Sequence, residues 1–311
     1  MDPPDPLKTK MPARKRISLE EEYSKPTGIT ADDIAKLRQW LDTQPHLPKN
    51  LTDLDLILIY HKCDRSIQVS KQEIDNQYTL RTLFTSFFKD RSLNKDIENF
   101  FLTALVTILP NRSKAGDAIF YARILDTDVN KFDFASAIKG VFMMLDLWQY
   151  EEGTWPGLTF IFDLQGIKMG LLSKLDIQNI QQFVAYFPDA ILAKFNGLHF
   201  INTPTFMDRV NTLTKAFYKN ENIQKFIVHQ NGSNTLEQII DIDILPKEAG
   251  GKFKSLEECQ QDTLEKIRAN EDYFVEENKK RIVEALRPGK PKTIADFFDS
   301  VEGSFKKLEI D

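Results

Sequence analysis

Apolar positions at helical spacing begin at Ile34, Leu37 and Leu41, behind Thr30 as a candidate N-cap, and Pro45 and Pro48 end that run. Leu54 to Tyr60 is apolar almost all round, the pattern of a helix buried between others. Ser70 is read as the cap of a further helix carrying Ile74, Tyr78 and Leu83. Phe100, Phe101, Leu102 and Leu105 suggest one more short apolar helix. From Gly116 the rhythm changes. Ala118 to Leu125, Leu158 to Phe162, Leu198 to Ile201 and Phe226 to Val228 have strand composition. Between them, 133–149, 175–187 and 205–218 return to helical spacing. Strands alternating with helices predict an α/β fold: a mixed, mostly parallel sheet covered by helices, behind an N-terminal all-helical bundle. Ser255 and Glu258 form a capping box for a long polar helix expected to end near Pro288, and a last amphipathic helix follows Thr293. The expected divisions are a flexible tail over 1–28, the bundle over 29–95, the α/β domain over 96–252 and C-terminal helices over 253–311.

Phenylalanine is the exception in the composition. The 311 residues include 23 Phe against 8 Tyr and 3 Trp, so most of the aromatic surface has no polar handle and must be buried, in a core or against an apolar ligand. With 41 basic and 46 acidic side chains the net charge is -5, which argues against a general nucleic-acid binder. No run of 18 apolar residues spans a membrane, and no apolar stretch behind the N-terminus makes a signal peptide. The expectation is therefore a cytoplasmic protein.

Catalytic and cofactor motifs are missing. The sequence has no GxSxG elbow, phosphate loop, HExxH or GxGxxG, and the 2 Cys form no metal-like spacing with histidine. No cofactor or metal is expected. Asp163, in the turn Asp163-Leu164-Gln165-Gly166, reads as a turn-former before a general base. His199 reads as a hydrogen-bonded core residue. The segment after Asn202-Thr203-Pro204 carries Phe206, Met207, Val210, Leu213 and Phe217 on one helical face, with Asp208, Arg209 and Lys215 on the other. A core-facing helix and a movable lid over an apolar cavity both require that pattern.

Several of these segments together resemble the CRAL-TRIO lipid-binding proteins, especially the alpha-tocopherol transfer protein-like branch common in insects. The matching residues are Leu56 to Cys63 with Ser66, Ile74 to Tyr78 with Leu80-Arg81-Thr82, Phe160 to Gly166, Gly197 to Pro204, and Ile244 to Gly251. Ala249 stands where that last motif usually has an aromatic residue. The resemblance implies a sheet that floors an apolar cavity, closed by a helical gate at 205–218. By the same resemblance Phe160, Phe162, Phe183, Tyr186, Phe187 and Ile191 wall the cavity, and Tyr121 is a candidate polar contact. Phe206, Val210, Leu213 and Phe217 cover the ligand when closed and meet membrane when open. Lys194 stands at one position of the basic cluster that reads phosphoinositides in tocopherol-transfer relatives, whereas Asn196, Asn222 and Phe226 replace other cations of it. Lys215, Lys219 and Lys225 supply positive charge elsewhere, so membrane contact is expected through these four lysines.

The function expected is a monomeric, non-enzymatic carrier of a hydrophobic small molecule or lipid, of the tocopherol, retinoid, carotenoid or phospholipid class. It would associate transiently with membranes, anionic ones included. The rival is a membrane-attached lipid-sensing adaptor that recruits protein partners.

Overall fold

The computed structural model describes residues 16–176, 178–180, 182, 183, 187, 191–206 and 225–297. The helical unit comprises α1 (Leu19–Tyr23), α2 (Ala31–Asp42), α3 (Asp53–Lys62), α4 (Ile67–Leu83) and α5 (Thr85–Phe88). Capping boxes start α2 at Thr30 and α3 at Thr52, each threonine accepting from the backbone of an aspartate that returns the bond. Every residue from Leu54 to Tyr60 is buried, as an all-round apolar helix demands. α4 begins earlier than predicted. Ser66 accepts from Val69 N and caps it, while Ser70 is buried one turn inside and donates to Ser66 O at 2.7 Å.

The first-described residues correct the expected tail, because from Arg16 onward the chain is docked. Ser18 and Glu21 form the capping box of α1, and Glu22 is buried at 1% exposure. The Glu22 carboxylate accepts from Thr154 N and from the Thr154 hydroxyl, and Lys25 Nζ pairs with it at 2.8 Å. Gly153, at φ 73°, makes room for that carboxylate, since a β-carbon there would lie 1.8 Å from Glu22 Oε2.

α6 (Lys95–Thr103) runs without a loop into β1 (Ala104–Ile108), so Leu105 belongs to a strand and not to the predicted helix. Then follow β2 (Ala118–Ile124), α7 (Phe134–Glu152), β3 (Leu158–Asp163), β4 (Phe195–Ile201) and β5 (Phe226–Val228). The sheet order is β1-β2-β3-β4-β5, with β1 antiparallel to β2 and the other neighbours parallel. The expected mixed, mostly parallel sheet is present. The long polar helix after Ser255 is two helices, α8 (Leu256–Arg268) and α9 (Glu271–Glu277), broken at Ala269 and Asn270.

Buried charge joins the helical unit to the rest. Arg81 of α4 makes a two-pronged pair with Asp146 of α7 at 2.7 and 2.8 Å and reaches Glu277 of α9 at 2.6 Å. Arg91 meets Asp146 at 2.6 Å, and Lys280 pairs with Asp55 of α3 at 2.8 Å and with Glu277 at 3.2 Å. Three cations thus face three carboxylates, and their mutual attraction offsets the large cost of taking each charge out of water.

Candidate ligand cavity

Strand alternation divides the sheet into two faces. On one stand Phe120 and Ala122 of β2, Phe160 and Phe162 of β3, and Leu198 and Phe200 of β4, paired across the register. On the other stand Tyr121, Ile161 and His199. α7 packs on the first face, where Trp148 lies 5.9 Å from Phe120. Phe160 is fully buried there, 4.9 Å from Phe120 and 4.7 Å from Phe187, with Phe183 4.8 Å beyond Phe187. Ile191 is buried in the same cluster. The Phe excess therefore fills a packed aromatic layer, each edge-to-face or offset pair adding about 0.5–1.5 kcal/mol to simple burial.

The layer opens into a cavity of about 120 Å³ beside the carboxyl ends of β2 and β3. Its walls are almost wholly apolar. α6 contributes Phe100, β1 Val106, β2 Ala122 and Ile124, and β3 Phe162, continued by Leu164 and Ile167. α7 closes it with Phe134, Ala137, Ile138 and Val141, a single helical stripe. Phe100 reaches it because Gly140 of α7 has no side chain.

Of the predicted cavity residues, Phe162 lines this space, and Phe183 touches its wall through Phe134 at 6.5 Å. Phe160, Phe187 and Ile191 stand behind the wall in the packed layer. Phe206 is half-buried in the turn after Pro204. Tyr186, Val210, Leu213, Phe217, Lys215 and Lys219 lie outside the described residues. The α7 stripe was missed as a wall, although its helical spacing was legible, because spacing does not say which face meets a void.

Tyr121 is a correction. It points to the opposite face and joins the cluster of Ile119, Ile161 and Ile240. Its hydroxyl donates to Asp163 Oδ2 at 2.6 Å, and burial followed by the Asp163 charge pushes its pKa well up. Asp163 Oδ2 also meets Arg123 Nη1 at 3.1 Å, while Oδ1 accepts from Asn202 Nδ2 and Gln165 N, both at 2.9 Å. With both oxygens engaged, Asp163 ties the ends of β2, β3 and β4 together and does more than shape its own turn.

On that opposite face His199 Nδ1 and His229 Nε2 share a hydrogen bond at 3.0 Å, and His229 Nδ1 meets Thr235 Oγ1 at 2.8 Å. Burial, then the neighbouring His229, lowers the His199 pKa to about 4, and burial also lowers His229. The pair is therefore neutral near pH 7. Lys194 and Lys225 precede β4 and β5, at the end of the sheet away from the cavity. Lys194 is paired with Asp64, and Lys225 Nζ donates to Phe195 O at 2.9 Å. Among the described residues no group of three or more His, Cys, Asp or Glu can hold a metal, and no helix is long and apolar enough to cross a membrane.

Residues 102–251 match the CRAL/TRIO domain, and residues 28–97 match the Pinta-like UBA domain. Clavesin-1 of Xenopus laevis is 26% identical over 222 residues, covering 70% of this chain and 67% of its own. Clavesin-2 of Homo sapiens is 22% identical over 225 residues, 70% of this chain and 68% of its own. Among solved structures, the crystal structure of Sfh5 aligns with a TM-score of 0.44 at 16% identity, over 78% of this chain and 99% of that one.

Proposed function

We propose that this chain, which carries a CRAL/TRIO domain and is homologous at low identity to the clavesins, is a carrier that takes up one hydrophobic molecule and passes it between membranes. The observation that carries this reading is the apolar cavity between the aromatic face of the sheet and the α7 stripe. An apolar cavity of about 150 Å³ stays dry and binds benzene. The 120 Å³ here accepts a ring or the end of a chain, so a longer ligand extends past these walls.

Burial supplies the affinity, at about 0.8 kcal/mol per methylene. The same gain makes escape into water slow, so a carrier must open where ligand passes directly into a bilayer. We assign that role to residues 205–218, on the resemblance described above. Ligands of the tocopherol, retinoid, carotenoid or phospholipid class suit a space whose walls are almost wholly apolar. The proposal includes a cytoplasmic protein with transient membrane contact and no catalytic turnover.

Transfer between vesicles tests it. Donor vesicles holding a fluorescent lipid and acceptors holding a quencher are mixed with the protein. A carrier accelerates quenching in proportion to its concentration. An adaptor co-sediments with the vesicles and leaves the transfer rate unchanged, which would replace the carrier reading with the adaptor.

A further inference from the structure

The basic run before Ser18 has no part in the cavity. In Arg14-Lys15-Arg16-Ile17-Ser18-Leu19, cations stand two, three and four residues before a serine and an aliphatic residue follows it. Kinases select substrates by such charge patterns. Ser18 is exposed, with extended backbone at φ -79° and ψ 158°, and Leu19 is 42% exposed. Ser18 is thus at the surface with an extended backbone, and Leu19 beside it is exposed.

The same serine holds a docked strap. Ser18 Oγ accepts from Glu21 N at 3.1 Å, and Glu21 Oε2 accepts from Ser18 N at 2.9 Å. Beside it, Arg16 Nη2 meets Asp272 Oδ2 at 3.1 Å, and its guanidinium lies 4.9 Å from the Tyr150 ring centre. Ile17 N donates to Glu151 O at 3.0 Å, and Glu22 is buried against Thr154.

We propose that Ser18 is a phosphorylation site for a serine kinase that prefers basic substrates, and that its phosphate releases residues 16–25 from the carboxyl end of α7. In the transfer Ser18 Oγ attacks the γ-phosphorus of ATP. The bond from that phosphorus to the oxygen bridging the β-phosphate breaks, ADP leaves with the electron pair, and the hydroxyl proton passes to a carboxylate of the kinase. The product carries a charge of about -1.5 to -2 at neutral pH.

Two effects then oppose each other. Negative charge at a helix start is favoured by the aligned peptide dipoles, but α1 has only five residues over which they can sum. Against it stand Glu20, Glu21 and Glu22 in the first turn, Glu21 already in contact with Ser18. The phosphate also competes for Arg16, since guanidinium grips phosphate with two parallel bonds. That withdraws Arg16 from Asp272 and Tyr150. Repulsion and the lost anchor act together, so release wins. It removes Arg16 from the wall of a surface groove that Tyr150, Asp272 and Lys280 also border.

The test uses the full chain with the catalytic subunit of cAMP-dependent kinase and Mg-ATP, read by peptide mass spectrometry and hydrogen exchange. One phosphate on Ser18 is expected, with the Thr154 and Ile17 amides exchanging about tenfold faster afterwards. Ser18→Asn keeps a capping oxygen, so it should take no phosphate at this position and keep wild-type protection. Arg16→Ala should speed exchange without any phosphate. Failure to label Ser18 overturns the site, and labelling with unchanged protection at Thr154 and Ile17 overturns the release.

Discussion

The Phe100 ring lies against Gly140 so closely that a β-carbon on that glycine would stand 2.3 Å from it. The contact joins α6 to α7 and turns Phe100 into a wall of the apolar cavity. Helix propensity alone says that Gly140→Ala should stabilise α7 by about 1 kcal/mol. Steric overlap with Phe100 acts the other way, at about 1–3 kcal/mol. The expected outcome is a lower Tm together with weaker uptake of a fluorescent lipid. A higher Tm with unchanged uptake would mean that the ring is free to move aside.

Asp146 is the shared carboxylate of two buried arginines. Asp146→Asn leaves Arg81 and Arg91 in excess and should cost about 3–5 kcal/mol in urea unfolding. Burial alone would raise the Asp146 pKa, but the Arg81 and Arg91 charges overcome it and hold it at about 2. A depressed carboxylate contributes stability that is present above its unfolded pKa and lost as pH falls through its folded one. This contribution should therefore survive to about pH 4 and vanish toward pH 2. A variant as stable as wild type at pH 7 would contradict the network.

The histidine pair gives stability of a different window. His199 is held neutral down to a pKa of about 4, so the folded state binds fewer protons than the unfolded one below about pH 6.5. Stability is then full above that value and falls by up to about 1.4 kcal/mol per pH unit on the way down to pH 4. His199→Gln should flatten the fall in Tm between pH 7 and pH 5. An equal fall in both proteins would place the acid sensitivity elsewhere.

Much of the fold could be read from the chain, and the failures have local causes. Strands β3 and β4 stand out because Phe160 and Phe200 lie in short apolar runs closed by Asp163 and Asn202. β1 was missed because Thr103 ends a helix and Ala104 starts a strand with no turn residue between them. What makes Leu105 a strand residue is pairing with Arg123, which periodicity cannot express. The sequence reading puts the cap of α4 at Ser70, whereas the hydroxyl that reaches Val69 N is that of Ser66, one turn earlier. Tyr121 entered as a cavity contact by the resemblance alone, and the alternation of β2 puts it on the face opposite Phe120 and Ala122. The ion cluster was invisible, since Asp55 and Lys280 are 225 residues apart.

The most direct test of the central claim is mass spectrometry of the organic extract from natively purified protein, wild type beside Val141→Phe. The substitution places a ring in the cavity from the α7 stripe, and a circular-dichroism melt confirms that the variant is folded. The account predicts one hydrophobic compound in stoichiometric amount from wild type and its loss from the variant. A wild-type protein that yields none and takes up none from mixed-lipid vesicles, or a folded variant that keeps its full load, would contradict it.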